Sequence, residues 1–476
     1  MSSPNSSAAH LTGPVGFDIA ALLPLAGADL VAPLVQGGSI TYAGLDVAAS
    51  APALSSVVDR INAVIPYYSN VHRGAGFASQ VSTDLYETAR QTIASFVGAR
   101  SDDVTIIVRN TTDALNLLAS CVPDGGSVVH LDIEHHANLL PWKAHQPRTV
   151  QTQRTVAETL TALETELARR PLALLAVTGA SNVTGEALPL PDLVAIAHRH
   201  GARIAVDAAQ LAPHRRIDIS ALGVDYIAIS GHKMYAPFGA GALIGRADWL
   251  NAAPPHLAGG GAVDEVTSDS VHWAPAPARH EAGTPNILGA IALAHACSSL
   301  AALPPGAQQR HEQALLARLD DGLAQIPGLT TIRIWDDAPD RMAVTSFVIQ
   351  GWDSSKLATI LAAEFGIGVR DGRFCAHPLL ARFSPSGTAV RVSLGAGTTS
   401  EHVDRLLAAL ASIVLHGPTW NYVHTGNGWA PQPETRDLNP LGLDSIRSVS
   451  QGASPCNANT SEHHAPHRAN SGSQSL

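Results

Sequence analysis

Between about residues 100 and 245, short β-rich runs alternate with helical patterns, and no other feature of the 476-residue chain constrains its fold as tightly. "VTIIVR" is followed by "TTDALNLLAS", then by "SVVHLD" and a loop. In 155–170, Val156, Leu160, Leu163 and Leu167 recur at helical spacing, with Thr155 and Glu158 placed as a capping box in front of them. "ALLAVT", a helix near 191–200 that stops at Gly201, "RIAVD", "DYIAI" and "GALIG" complete the series. Strands alternating with helices predict an α/β fold, a mostly parallel sheet covered on both faces. Ligands of such sheets gather at the carboxyl ends of the strands. A 45% hydrophobic and 15% charged composition supplies the core this needs.

After about residue 300 the pattern changes to a helix near 308–326, "TTIRIW", "AVTSFVIQ", a helix at 354–365, "IGVR", "AVRVSL" and a helix at 400–415. This predicts a smaller α+β domain. The expected organisation is an N-terminal arm (1–40), a large domain (41–300), a small C-terminal domain (301–416) and a polar, largely disordered tail (417–476). "LGLDSI" (441–446) is similar to a phosphopantetheine-attachment signature, but no helical pattern flanks its serine, so it reads as tail. The N-terminus lacks a basic leader, no apolar run reaches membrane-spanning length, and the basic residues are scattered in a chain of net charge −10. The expectation is a cytoplasmic protein with no membrane, nucleic-acid or metal partner. Four cysteines in so long a chain form no disulfide framework.

Polar residues cluster where the predicted strands end. "RIAVD" delivers Asp207, and "DYIAI" delivers Ser230, His232 and Lys233. "ALLAVT" leads to Asn182, and "SVVHLD" leads to His135 and His136. "IIVRN" leads to Thr111 and Thr112 at a helix start, a ready anion site. Lys233 lies in "SGHKMYAPFGAGALIG", between an apolar strand and a glycine-rich turn. Such a setting favours a neutral, nucleophilic amine and close backbone approach. A phosphate, an aromatic ring and a carbonyl that needs an amine meet in pyridoxal 5′-phosphate (PLP).

With these residues in place, the chain resembles the class V group of fold-type I PLP enzymes, above all cysteine desulfurases and selenocysteine lyases. The resemblance runs from "LDVAASAP" (45–52) through "NVHRGAG", "RNTTDALN", "EHHANLLPW", "SNVTGEALPL", "VDAAQ", "SGHKMYAPFGAGAL", "GGG", "RHEAGTPN" and "GVRDGRFCAHPL" to "VRVSLGAG" (390–397), in the family's order. It implies that Lys233 forms the Schiff base and shuttles protons, and that Asp207 pairs with the pyridine nitrogen. Gln210 would bond the ring hydroxyl, with Asn182 beside that oxygen or the substrate carboxylate. His135 would stack on the ring and assist proton transfer. Thr111, Thr112, Ser230 and His232 would hold the phosphate. Thr284 would reach the phosphate of a neighbouring subunit, which implies a homodimer. Arg391 would grip the carboxylate of the amino-acid substrate, while Arg370 and His72 would line the entrance.

Cys375 separates the functions within the family. In desulfurases a cysteine on a mobile loop attacks the substrate sulfur and becomes a persulfide, leaving alanine; a protein acceptor can then take the sulfur. The related branch usually reads "RxGHHCA"; here "RDGRFCA" places Arg373 and Phe374 where two histidines are common. Asp113 also stands where glutamate is common. The expected activity is cleavage of the C–S or C–Se bond of L-cysteine or selenocysteine. The alternatives are a related aminotransferase, epimerase or C–S lyase in which Cys375 is a bystander, and a cofactor-less binding relative. The ordinary readings of these residues are a turn lysine, a strand-end aspartate, threonine helix caps, a structural arginine and a small buried cysteine. Cys121 and Cys297 fit the last of these.

Overall fold

A computed structural model describes residues 17–426 and 428–442. Ser445 of "LGLDSI", Cys456 and the histidine-rich end lie outside the described residues. The large domain is built on seven strands: β1 (Asp103–Val108), β2 (Val128–Leu131), β3 (Arg148–Val150), β4 (Leu174–Thr178), β5 (Arg203–Asp207), β6 (Tyr226–Ser230) and β7 (Gly241–Arg246). Their spatial order is β1-β7-β6-β5-β4-β2-β3. All run parallel except β7, which is antiparallel to both its neighbours.

Alternation along these strands sorts the side chains between two cores. Ile106, Val128, Leu174, Ala205 and Ala228 meet the helix α2, described below. The intervening residues Ile107, Val129, Leu175, Val206 and Ile229 join the larger core on the opposite face. The helices that cover the sheet include α1 (Phe77–Phe96), α2 (Thr111–Cys121), α3 (Val156–Leu167), α4 (Leu190–Arg199) and α5 (Ile287–Ala301). Residues of α1, α3, α4 and α5 supply the opposite-face core. The capping box read at the start of α3 is present, with Thr155 Oγ1 accepting from the Glu158 N–H while Glu158 accepts from the Thr155 N–H. Each fully buried Leu or Ile contributes about 1.5–3 kcal/mol, and both faces of the sheet are covered.

The small domain contains α6 (Ala307–Leu323), β8 (Leu329–Thr331), β9 (Val344–Ile349), α7 (Ser354–Phe365), β10 (Arg370–Gly372), α8 (His377–Phe383), β11 (Ala389–Ser393) and α9 (Ser400–His416). Its antiparallel sheet has the order β8-β9-β11-β10. Two features depart from the expected divisions. Ala43 and Leu45 belong to the small domain's core, and Ala43–Gly44 pairs with Ile367–Gly368, so the chain starts on the small domain before entering the large one. The stretch expected to be a disordered tail begins with a hairpin, β12 (Tyr422–Thr425) and β13 (Gly428–Pro431), packed against α7. Trp429 takes Lys356 of α7 on its ring, 4.6 Å from the centroid. Among the described residues no helix is long and apolar enough to cross a membrane.

Candidate active site

The carboxyl ends of the parallel strands and one edge of the small-domain sheet enclose a cavity of about 320 Å³, within the range that holds small cofactors. Its walls include Thr111, Thr112, His135, Asn182, Asp207, Gln210, Ser230, His232, Lys233, Arg370, Cys375 and Arg391. Twelve of the fourteen residues singled out in the sequence therefore converge on one space.

At one corner, α2 points its N-terminus into the cavity. Asn110 caps the helix, its side chain accepting from the Asp113 N–H. Asp113 in turn accepts from Arg109 and stands 3.1 Å from His256 Nε2, and these partners hold its carboxyl well below the usual range. Aspartate therefore serves structurally where glutamate is common. Thr111 Oγ1 is buried with no hydrogen-bond partner among the described residues. Opposite it, Ser230 Oγ lies 2.9 Å from His232 Nδ1. Glycine is required where β7 starts: a Cβ on Gly241 would stand 2.7 Å from the Cα of Asn110. An unfilled hydroxyl, helix N-terminal amides and a close-packed glycine fit a phosphate.

The floor carries Asp207 at the end of β5. Burial raises its pKa, opposed by the Ala209 N–H at 2.9 Å and by Lys233. Gln210 Nε2 donates to the Ala48 carbonyl at 2.6 Å, while its Oε1 is buried without a partner. Lys233 follows β6 on a short turn, where burial pulls its amine down to about 8 against the attraction of Asp207. His135 Nδ1 accepts from the Ala137 N–H at 3.0 Å, so its proton sits on Nε2. Burial, with the charges of Lys233, His136 and Arg391, lowers its pKa to about 3 and keeps the imidazole neutral.

The small domain closes the other side. Arg391 on β11 and Arg370 on β10 stand directly opposite each other in register. Arg391 is buried; it donates through Nη1 to the Asn182 carbonyl (3.0 Å) and through Nη2 to Asp46 (2.6 Å), and its Nε has no partner among the described residues. Burial lowers its pKa, with Asp46 opposing. Phe374 and Cys375 are consecutive non-glycine residues at positive φ (50° and 53°), on a turn between β10 and α8 closed by the Ala376 N–H donating to the Arg373 carbonyl. Two adjacent left-handed residues store strain of the kind found at ligand clamps. Asn182 Nδ2 holds the Phe374 carbonyl at 2.8 Å, and the Phe374 ring lies 5.1 Å from the Arg391 guanidinium. The expected mobile loop is thus a short turn tied down by hydrogen bonds.

Two expected residues are elsewhere. His72 is exposed, its Nε2 2.8 Å from Glu87, and is not a wall of the cavity. Thr284 is exposed before α5 and also outside it. Sequence reading missed Asp46, Asn110, Thr178 and Phe374 as site residues. Asn110 and Phe374 were adjacent to chosen residues; only long-range pairing with Arg391 reveals Asp46.

Residues 43–406 match the family model for aminotransferase class-V. A cysteine desulfurase of Synechococcus elongatus is 35% identical over 428 residues, which are 86% of this chain and 66% of that protein. A probable cysteine desulfurase of Vibrio cholerae is 35% identical over 395 residues, 80% of this chain and 95% of that one. Among solved structures, the cysteine desulfurase CsdA of Escherichia coli is similar at a TM-score of 0.70 and 33% identity, over 78% of this chain and 94% of that one. An apo cysteine desulfurase of Thermococcus onnurineus has a TM-score of 0.73 and 30% identity, with the same coverage.

Proposed function

This chain belongs to the class V aminotransferase family and its cysteine desulfurase branch, whose members depend on PLP, and from that premise we propose that it cleaves the C–S bond of L-cysteine and leaves L-alanine and a persulfide on Cys375. The observation that carries the proposal is the meeting of Lys233, Asp207, Arg391 and Cys375 on one cavity.

The residues fit the coenzyme: Thr111, Thr112, Ser230 and His232 would hold its phosphate, Asp207 its ring nitrogen, Gln210 its ring hydroxyl and Lys233 its aldehyde carbon. Bound there, it supplies an electron sink for the pair left when the substrate Cα–H bond breaks. His135, neutral and fixed as the Nε2–H tautomer, offers an uncharged face for stacking. Arg391, with Arg370 opposite, binds the substrate carboxylate and points the side chain toward Cys375. Lys233, its amine pulled down toward neutrality, takes the Cα proton. The Cys375 thiolate attacks the substrate Sγ. An S–S bond forms as the Cβ–Sγ bond breaks, the sulfur is oxidised, Cβ keeps the electron pair and takes a proton, and the proton that Lys233 removed returns to Cα to complete alanine. Arg391 and Lys233 both lie within electrostatic reach of Cys375.

Selenocysteine is an expected second substrate, since its C–Se bond is cleaved by the same displacement. A homodimer is part of the proposal: Thr284 is exposed and lies outside the cavity described above. A protein or small thiol then removes the sulfur, in a reducing cytoplasm that keeps Cys375 usable. The test is incubation of the holoenzyme with L-cysteine, and separately selenocysteine, in the presence of a thiol. Equal yields of alanine and sulfide are expected; turnover of another amino acid with no alanine formed would refute the proposal.

A further inference from the structure

Residues 45–54 cross from the small domain to the large one along the wall of the cavity. At the small-domain end, Leu45 takes the Ser393 N–H on its carbonyl, and the Ala48 N–H donates to Ser393 Oγ. At the large-domain end, the Ala48 carbonyl receives Gln210 Nε2, the Ala51 N–H donates to the His232 carbonyl, and the Leu54 N–H donates to the Tyr235 carbonyl. Ala48 and Ala49 line the cavity where a larger side chain would intrude. Asp46 is the charged residue of this strap, and its Oδ1 sits 2.6 Å from Arg391 Nη2.

Five N–H groups of a guanidinium are available, in a fixed fork. In Arg391, Nη1 is committed to the Asn182 carbonyl, Nη2 to Asp46, and one face to the Phe374 ring. Three N–H groups are left: the Nε–H, buried and unpartnered among the described residues, and the second N–H on each of Nη1 and Nη2. We propose that Asp46 is a positioning residue: it turns and neutralises the Arg391 guanidinium so that its uncommitted N–H groups are held for the substrate carboxylate. The inference rests on the reading of Arg391 as the carboxylate site.

The geometry argues against the opposite role, a competing anion. Competition would require Asp46 to occupy the donor that the substrate needs. Asp46 holds one N–H of Nη2, and three of the five N–H groups stay uncommitted. Asp46 is also fixed from behind, since its own main chain bridges to Ser393 on β11, the strand that carries Arg391. Both partners of the pair therefore move as one piece.

The experiment uses the holoenzyme and two amines that differ by the carboxylate, L-alanine and ethylamine, with binding read from the coenzyme absorbance. Asp46→Ala should weaken L-alanine about tenfold, the loss expected for a charge-assisted hydrogen bond, and leave ethylamine unchanged. Asp46→Asn keeps the acceptor without its charge and should lose about threefold; it also serves if the alanine variant does not fold. In turnover the loss should appear in KM for L-cysteine rather than in kcat. L-alanine bound as tightly as by the wild type, or more tightly, in Asp46→Asn would overturn the positioning role. Arg391→Ala is the control for the underlying reading. If it still prefers L-alanine to ethylamine, Arg391 is not the carboxylate site and both ideas fall. If it loses that preference while the Asp46 variants keep theirs, only the Asp46 inference falls.

Discussion

The main-chain N–H of His136 donates to the main-chain carbonyl of Cys375 at 2.8 Å. The loop after β2 and the turn before α8 thus meet residue to residue, one bringing His135 and the other the thiol. The side chain of His136 stands edge-on to His377, with ring centroids 4.5 Å apart, on the outer side of the same junction. Imidazoles therefore remain near Cys375 although Arg373 and Phe374 replace the two histidines of the related branch.

If the thiol is the sulfur acceptor, Cys375→Ser should abolish persulfide and alanine formation from L-cysteine. The coenzyme absorbance should stay intact, because the thiol is not among the side chains proposed to hold the coenzyme. Persulfide labelling and alanine assay of the same sample check this. Undiminished alanine formation would make Cys375 a bystander, and pyruvate in place of alanine would favour a C–S lyase.

Phe374 is buried and at positive φ, two properties that oppose each other in a substitution. Phe374→Ala removes a buried ring and the contact on Arg391, at a cost of about 3 kcal/mol, the lower end of such truncations. Phe374→Gly removes the same atoms but relieves the left-handed backbone, and should be more stable than the alanine variant by about 1 kcal/mol. Thermal melts of the three proteins give the order wild type, glycine, alanine. An alanine variant more stable than the glycine one would show that the turn relaxes away from its strained form.

Local chemistry made much of this legible in advance. Apolar runs bounded by turn residues marked β2, β4, β5 and β6, and the polar residues that end β4, β5 and β6 (Thr178, Asp207 and Ser230) land in the cavity because a parallel sheet gathers its strand ends. The capping box at Thr155 and Glu158 and the stop at Gly201, which adopts φ 73°, are also local signals. Asp46 and the hairpin after residue 417 were not legible. Asp46 acquires its role from a strand 345 positions away. The hairpin has no periodic apolar face, and Glu364 and Trp429 define it through contacts with α7 that no window of sequence contains.

Glu134, directly before His135, is fully buried and accepts from the Thr178 N–H (3.1 Å) and from Asn138 Nδ2 (2.8 Å). Burial raises its pKa from 4.5 to about 8, with Asp207 and Asp132 adding to the effect. The folded protein therefore binds a proton that the unfolded chain releases in that interval. Stability from this group is complete below pH 4.5 and is lost as pH rises through about 8, at up to about 1.4 kcal/mol per pH unit. Glu134→Gln cannot titrate and should flatten that part of the curve. Denaturant unfolding at pH 5, 6.5 and 8 measures the difference between the two proteins; equal slopes would mean that Glu134 is ionised throughout.

Glu364 near the end of α7 gathers the start of the C-terminal extension. It accepts from the Thr419 N–H and hydroxyl, from the Trp420 N–H and from the Tyr422 hydroxyl at 2.9 Å. It is almost completely buried, so these four donors depend on it and lose their partner together if it is truncated. Glu364→Ala should cost about 3 kcal/mol, the scale of removing one side of a buried charged cluster. The damage should be local: hydrogen exchange should accelerate in β12 and β13 and in the outer face of α7, while amides of the parallel sheet keep their protection. Because no described residue of the extension lines the cavity, turnover of L-cysteine at a temperature well below the melt should be unchanged. Loss of activity in parallel with the accelerated exchange would show instead that the hairpin, through α7, holds β10 and the Cys375 turn in place.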